Sequence, residues 1–314
     1  MAYLIAEIGF SHSGDLDLAL RMIESAARSG ADAVKFQSFF ADDLYFPNHE
    51  LYPIFKAGEI SPDAHRMLKN AADSNGVDFL STPFSVYWVD ELSKLNPAGY
   101  KIASMDLNNP VLLAAVARKG GKVYLSTGGG ELEEARQAVA LLRKNGAAEI
   151  CVFHCVSNYP TMPEEAMLGM IPELKKEMGV RVGFSDHTLG TAVATAAVAL
   201  GAEVIEKHFT IDKNLPGPDH KISANPEELS MLKKSIKEAE NAIKAPLPGA
   251  QNRPDSNKVH LMRRGIYAAC AINKGDVVTL EKLKLVRPEV TPLNMLDSIV
   301  GKPARKDFKE MEPL

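Results

Sequence analysis

The sequence has few cysteines and no long hydrophobic run, and each shortage excludes a class of protein. Its three cysteines, Cys151, Cys155 and Cys270, lack the paired C-x-x-C spacing of zinc sites, so we expect buried free thiols and no disulfide framework. No apolar run approaches the roughly 18 residues of a membrane span. Residues 1–10 also lack the basic start and apolar centre of a signal peptide. We therefore expect a cytoplasmic protein with no membrane partner.

A strong excess of charge is also absent. The net charge of −4 gives no basic surface for nucleic acid, so no nucleic-acid partner is expected. The content of 46% apolar and 24% charged residues is typical of a globular enzyme. Composition divides the chain into a large catalytic domain at 1–245, a linker at 246–258 with three prolines, and a small β-rich domain at 259–314.

Strand and helix patterns alternate along the large domain. The predicted strands cover residues 3–10, 33–39, 78–84, 100–104, 122–127, 150–156, 181–187 and 203–210. Eight strand and helix units in about 245 residues predict a closed (β/α)8 TIM barrel, whose chemistry lies at the C-terminal strand ends. A doubly wound open sheet is the alternative, but no G-x-G-x-x-G motif follows the first strand. Residues 40–60 are predicted to form an irregular loop, as a lid or substrate wall.

Polar residues occur at the C-terminal end of every predicted strand. Barrel cores normally carry Val, Ile and Leu, and unpaired buried charges are costly, so packing alone explains this pattern poorly. One alternative is a ring of salt bridges in which Glu7 and Glu206 face Lys35 and Lys101. The full set is Glu7, Lys35, Gln37, Ser81, Thr82, Lys101, Ser104, Ser126, Thr127, His154, Ser157, Asn158, Ser185, His187, Glu206 and His208.

Two of these residues indicate a metal site. A single histidine at a strand end is more often a rim residue, but His187 and His208 end consecutive parallel strands and would face one cleft. Two imidazoles with waters would accept Mn²⁺, Mg²⁺, Co²⁺ or Zn²⁺. Two lysines, several hydroxyls and the glycine-rich turn at 126–130 before a helix form a place for phosphate. Together with the carboxylate of Glu7, they favour condensation of a phosphorylated enol with an aldehyde.

Eight motifs, in order, resemble those of the sialic acid synthase family. They are AEIGFSHSGD, GADAVKFQ, FLSTPF, YKIAS, LSTGG, HCVSNYPT, GFSDHT and EKHFTIDKNLPGPDHK, and they extend along nearly the whole predicted barrel. The tail segments KGDVVTLEKLKLVRP and VGKPARKDF resemble the antifreeze-like SAF module that closes those enzymes. The resemblance implies condensation of phosphoenolpyruvate with an N-acetylated amino sugar aldehyde, giving a nonulosonic acid and phosphate.

The resemblance also assigns roles to residues. It places Mn²⁺ or Mg²⁺ on His187 and His208, and it places the carboxylates of Glu7 and Asp106 near the reacting centre. We expect Glu7 to be the base that activates water. Residues matching the phosphoenolpyruvate binders are Lys35, Thr82, Lys101, Ser104, Ser126 and Ser185. Residues matching positions near the sugar are Gln37, Ser157, Tyr159 and Asp219, together with Arg287 supplied by a partner chain in a homodimer with exchanged tails.

Some positions depart from the commoner family pattern. Asp106 stands where relatives often have Glu, Ser157 occupies a position that can be Asn, and Glu289 replaces a usual Gly. N-acetylmannosamine is the expected sugar, and synthases of legionaminic acid, pseudaminic acid or a spore-coat sugar acid are the alternatives. A metal-dependent aldolase or hydrolase without phosphoenolpyruvate, and a binding module on an inert barrel, are the other function classes considered.

Overall fold

Eight parallel strands close into a barrel in the computed structural model, which describes residues 1–244 and 256–314. The strands pair in sequence order, and β1 closes the barrel against β8, with Tyr3 opposite Val204 and Glu7 opposite His208. This closure confirms the predicted barrel and excludes the open sheet. The strands are β1 Tyr3–Gly9, β2 Ala33–Ser38, β3 Asp78–Pro83, β4 Gly99–Ile102, β5 Lys122–Ser126, β6 Glu149–Cys155, β7 Arg181–Asp186 and β8 Val204–His208.

Helices cover the outside of the barrel. Local signals fix their starts: Asp15 accepts a hydrogen bond from the Leu18 amide at 3.0 Å, and Ser61 caps the helix that begins at Pro62. Their apolar faces pack on the outward side chains of the strands. The helices are α1 Leu16–Arg28, α2 Ala41–Leu44, α3 Tyr52–Ala57, α4 Pro62–Ser74, α5 Val86–Ser93, α6 Pro110–Ala117, α7 Leu132–Lys144, α8 Met170–Met178, α9 Ala192–Ala199 and α10 Pro226–Lys244.

The segment at 40–60 differs from its prediction. It contains the helices α2 and α3, whereas the sequence predicted an irregular loop. Pro53 does not break α3, because it lies in the first turn, where a backbone amide has no hydrogen-bond acceptor within the helix. The prediction was wrong because it treated proline only as a breaker.

Two layers of side chains fill the barrel. Alternate residues of a strand point to the same side, so Ile5 and Glu7 of β1 both face inward. The lower layer is apolar and closes the bottom with a cluster that includes Leu80, Tyr124 and Phe153. Two residues further along, the inward positions are polar, as with Lys35 of β2. The barrel therefore presents a polar layer on an apolar floor at its C-terminal end.

The second unit of the chain comprises Ala245–Leu314. It contains α11 Ser256–Met262, β9 Gly265–Ala268, β10 Leu283–Val286 and α12 Leu296–Ile299. The strands β9 and β10 pair antiparallel, and a small core forms around Ala268, Ile272 and Val278. A 3-10 turn at Leu280–Lys282 directly precedes β10.

Two further sequence predictions concern the linker and the cysteines. Most of the predicted linker at 246–258 lies outside the described residues, and its last three residues belong to α11. Cys151 and Cys155 are buried free thiols, as predicted, but Cys270 is exposed because it follows β9 at the surface of the small unit. In the part of the chain that the structure describes, no helix is long and apolar enough to cross a membrane.

Candidate active site

A cavity of about 550 Å³ opens at the C-terminal ends of the barrel strands. Thirteen of the fifteen predicted site residues line it, since the strands of a barrel bring their C-terminal ends to one face. The thirteen are Glu7, Lys35, Gln37, Thr82, Lys101, Ser104, Ser126, Ser157, Tyr159, Ser185, His187, His208 and Asp219.

Four buried charges form the floor of the cavity. Lys35 Nζ lies 3.0 Å from Glu7 Oε2 and 3.5 Å from Glu206 Oε2, and Lys101 Nζ lies 3.4 Å from Glu206 Oε1. The salt-bridge ring considered from the sequence is therefore present. Lys35 is the ion-pair partner of both carboxylates and Glu206 is shared by both lysines, so each charge is paired. Burying four charges is costly compared with the apolar residues that usually fill a barrel, so packing alone explains the ring poorly.

The two carboxylates of the floor differ in their proton affinity. Burial alone would raise the pKa of Glu206, but the charges of Lys101 and Lys35 outweigh it and lower that pKa to about 2. Burial raises the pKa of Glu7, and the nearby negative charge of Glu206 adds to this effect despite Lys35. Glu206 therefore stays ionised, whereas Glu7 is the carboxylate better suited to accept a proton.

The two histidines lie together at the ends of β7 and β8, with ring centroids 5.6 Å apart. His187 Nδ1 donates to the Val156 carbonyl at 2.7 Å, so Nε2 carries the lone pair. Ser185 Oγ lies 3.4 Å from this Nε2 and donates to Glu206 Oε1 at 2.9 Å. His208 Nδ1 is buried without a hydrogen-bond partner, 3.7 Å from Asp219 Oδ2. Burial lowers the pKa of each histidine to about 4, so both imidazoles are neutral near pH 7.

This pair of imidazoles suits a divalent cation. Neutral imidazole nitrogens with free lone pairs are metal ligands, and an unpaired buried ring nitrogen has no structural benefit. Among the described residues, no group of three or more His, Cys, Asp or Glu side chains could hold a metal. A metal held by His187 and His208 would have only these two side chains as ligands, so positions would stay open for water or a substrate oxygen.

Hydroxyl groups surround the glycine-rich turn after β5. The Gly128 amide donates to Ser104 Oγ at 3.0 Å, and Ser126 Oγ is buried without a partner. A Cβ on Gly128 would lie 2.5 Å from Ser157 Oγ, so the close approach requires glycine. At the start of α7, Glu134 accepts from the Glu131 amide at 2.8 Å, and the phosphate place at this turn stays a prediction.

Apolar side chains form the rim of the cavity, which sequence analysis identified only as a possible substrate wall. Phe10 and Phe55 pack with ring centroids 5.2 Å apart, and Phe55 also contacts Tyr45. Ile54 lines the cavity while remaining 48% exposed, so a ligand can reach it. The rim residues from this region are Phe10, Tyr45, Leu51, Ile54, Phe55 and Phe84.

Two predicted site residues do not line the cavity. Asp106 is buried in a 3-10 turn, where Oδ1 accepts from Asn109 Nδ2 at 2.9 Å. Its Oδ2 is buried without a hydrogen-bond partner, and its predicted place near the reacting centre stays a prediction. Arg287 is exposed and belongs to the second unit. Its predicted contact with a partner chain stays a prediction.

Four polar residues at strand ends also lie away from the cavity. His154 contacts the Ala166 carbonyl at 2.8 Å through Nε2, and Ser81 bonds to Ser38 at 2.6 Å. Side chains alternate in direction along a strand, and the neighbours of these two residues point into the barrel. His154 and Ser81 therefore point outward, away from the cavity. Thr127 Oγ1 donates to the Phe153 carbonyl, and Asn158 donates to Glu165 at the exposed rim.

Comparisons with known proteins identify the family of this chain. The sequence profile of the NeuB family matches residues 22–246, and that of the SAF domain matches residues 263–314. N,N'-diacetyllegionaminic acid synthase of Campylobacter jejuni is 38% identical, covering 98% of this chain and 97% of its own. N-acetylneuraminate-9-phosphate synthase of Homo sapiens is 33% identical, covering 96% and 88%.

A solved structure is also similar to this chain. The N-acetylneuraminic acid synthetase of Leptospira borgpetersenii, in complex with citrate, superposes with a TM-score of 0.76 at 35% identity. The match covers 82% of this chain and 88% of that chain. The chain therefore belongs to the NeuB family, the sialic acid synthase family whose motifs its sequence carries, and its second unit contains a SAF domain.

Proposed function

We propose that the chain condenses phosphoenolpyruvate with the open aldehyde form of an N-acetylated amino sugar, giving a nonulosonic acid and phosphate. The relatives named as sugar-acid synthases support an enzyme of this kind. The observation that carries the proposal is the cavity floor, where Lys35 and Lys101 lie buried beside Glu7 and two neutral histidines. Such a floor combines anion binding, a proton acceptor and metal ligands.

The lysines and hydroxyls would bind the anionic substrate. Phosphoenolpyruvate carries a carboxylate and a phosphate, and charge-assisted hydrogen bonds to buried Lys35 and Lys101 are strong where water is excluded. Ser126 Oγ is buried at this floor without a hydrogen-bond partner. A bound anion would give Ser126 a hydrogen-bond acceptor and draw Lys35 from its long contact with Glu206.

The reacting groups follow from this placement. Carbon 3 of phosphoenolpyruvate forms a bond to the aldehyde carbon, water adds at carbon 2, and phosphate leaves with the enol oxygen. Mn²⁺ or Mg²⁺ held by His187 and His208 would supply a Lewis acid for the aldehyde oxygen. Glu7 would take the proton of the attacking water, because burial raises its pKa.

Two candidate sugars follow from different observations. The sequence favours N-acetylmannosamine, while the higher identity to a diacetyllegionaminic acid synthase, 38% against 33%, favours a diacetamido trideoxyhexose. The apolar rim around Ile54 and Phe55 supports the second sugar, because deoxy and acetamido methyl groups gain from apolar contact.

A competition experiment tests both the function and the sugar. The protein receives phosphoenolpyruvate, Mn²⁺ and equal amounts of N-acetylmannosamine, its 6-phosphate and the diacetamido sugar, and the acid product is identified by mass. One dominant sugar acid supports the proposal and names the substrate. Unchanged sugars and unchanged phosphoenolpyruvate would overturn it.

A further inference from the structure

A second charged pair lies on the outer face of the barrel, behind the two histidines. Asp186 and Lys207 face each other directly in the register of β7 and β8. Lys207 Nζ lies 2.7 Å from Asp186 Oδ2, and their side chains are 2% and 0% exposed. Each residue immediately precedes a histidine in the sequence, so it points away from the cavity while the histidine faces it.

This pair holds the backbone beside His187. Asp186 Oδ1 accepts from both the Thr188 amide at 2.9 Å and Thr188 Oγ1 at 2.7 Å. Lys207 Nζ also donates to the Thr188 carbonyl. The residue that follows His187 is therefore fixed at its amide, its side chain and its carbonyl. Asp186, on the strand of His187, makes the first two contacts, and Lys207, on the strand of His208, makes the third.

Packing does not account for the pair. The other outward residues of these strands, such as Val182, Phe184 and Ile205, are apolar and belong to the main core. Desolvating two charges costs several kcal/mol per ion, and well-packed apolar residues of similar volume often stabilise a fold equally well. Hydrogen bonds are directional and apolar contacts are not, so this pair can hold the backbone beside His187 in one geometry.

We propose that Lys207, Asp186 and Thr188 are positioning residues that hold His187 relative to His208 and thereby set the affinity for a divalent cation. The inference rests on the proposed function, because it takes the two histidines as the metal ligands. Partners that orient metal-ligating histidines typically change metal affinity by about 10 to 100-fold when they are removed.

The test is a titration of the full-length protein with MnCl₂, in which free Mn²⁺ is measured by electron paramagnetic resonance. Lys207→Met should weaken Mn²⁺ binding by about 10 to 100-fold. Lys233→Met is the matched control, because Lys233 forms a 2.5 Å ion pair with Asp32 at the opposite end of the barrel. This control should bind Mn²⁺ as the unaltered protein does.

A double variant separates positioning from stability. Lys207→Met with Asp186→Leu removes both charges, so the melting temperature should recover relative to Lys207→Met. The hydrogen bonds to Thr188 remain absent, so Mn²⁺ affinity should stay low. Thr188→Val, which removes one hydroxyl contact, should weaken binding by a smaller factor and keeps the test possible if Lys207→Met does not fold.

Two results would overturn the inference in different ways. Mn²⁺ affinity within twofold of the unaltered protein in the folded double variant and in Thr188→Val would refute the positioning role alone. Absence of Mn²⁺ binding by the unaltered protein would remove the metal site itself, and with it this part of the proposed function.

Discussion

Glu7→Gln is the substitution that best examines the chemistry of the cavity floor. The change removes one negative charge and keeps the shape of the side chain. Gln37 Nε2, which donates to Glu7 Oε1 at 3.2 Å, can still donate to an amide oxygen. Lys35 retains Glu206 at 3.5 Å, so the floor keeps an ion pair and the fold should persist.

The expected loss follows from the role of a general base. Such groups typically contribute about 100 to 10,000-fold to the rate, which corresponds to about 3 to 5 kcal/mol of barrier. We expect kcat for phosphate release to fall by that factor in Glu7→Gln. The KM for phosphoenolpyruvate should not rise, because loss of a negative charge beside Lys35 favours an anionic ligand.

The pH dependence gives a second readout. Burial raises the pKa of Glu7 in the folded protein, and the reaction needs its ionised form. The rate should therefore rise with pH as Glu7 ionises, above the ordinary range of a glutamate, and Glu7→Gln should lose this rise. Glu133→Gln is the control, because Glu133 is an exposed residue of α7 that pairs with Arg136, and it should keep the rise. Normal turnover in Glu7→Gln would refute the assignment of Glu7.

Three further predictions concern other parts of the chain. Gly128→Ala should lower kcat/KM for phosphoenolpyruvate at least tenfold, because its Cβ would lie 2.5 Å from Ser157 Oγ. Gly169→Ala is the control, because no atom lies within 4 Å of the added Cβ, and it should leave kcat/KM unchanged. Equal kcat/KM values for the two variants would contradict the crowding argument. Ile54→Asn should lower kcat/KM for the diacetamido sugar relative to kcat/KM for N-acetylmannosamine, because an apolar contact is lost. An unchanged ratio of the two values in competition assays would show that the rim does not select the sugar. Light scattering should give twice the 34.1 kDa mass of one chain if the predicted homodimer forms, and a monomeric mass would refute it.

Sequence reasoning works best where strand periodicity decides the outcome. The inward direction of Glu7, Lys35 and His208 follows from alternation along strands whose ends must meet at one face. The same rule correctly separates His154 from Cys155, because adjacent residues of a strand point to opposite sides. Applied to every strand, it would also have removed Ser81 from the set of polar strand-end residues.

Sequence reasoning fails where residues lie outside regular strands. Asp106 follows β4 in a 3-10 turn, where a period of two no longer fixes direction, and only the structure shows its bond to Asn109. Phe55 of α3 reaches the cavity rim by packing against Phe10 and Phe39, which are distant in sequence, and no local pattern encodes such contacts. The contacts of Lys207 likewise require the register of β7 against β8.

The stoichiometry of phosphate release is the measurement that tests the central claim most directly. The protein is supplied with phosphoenolpyruvate, a sugar and Mn²⁺, and phosphate and sugar acid are quantified in the same sample, with His208→Ala as a control. We predict equal amounts of the two products, and loss of both when the metal, either substrate or His208 is removed. Phosphate release that continues without a sugar, or sugar conversion that continues without phosphoenolpyruvate, would contradict the account.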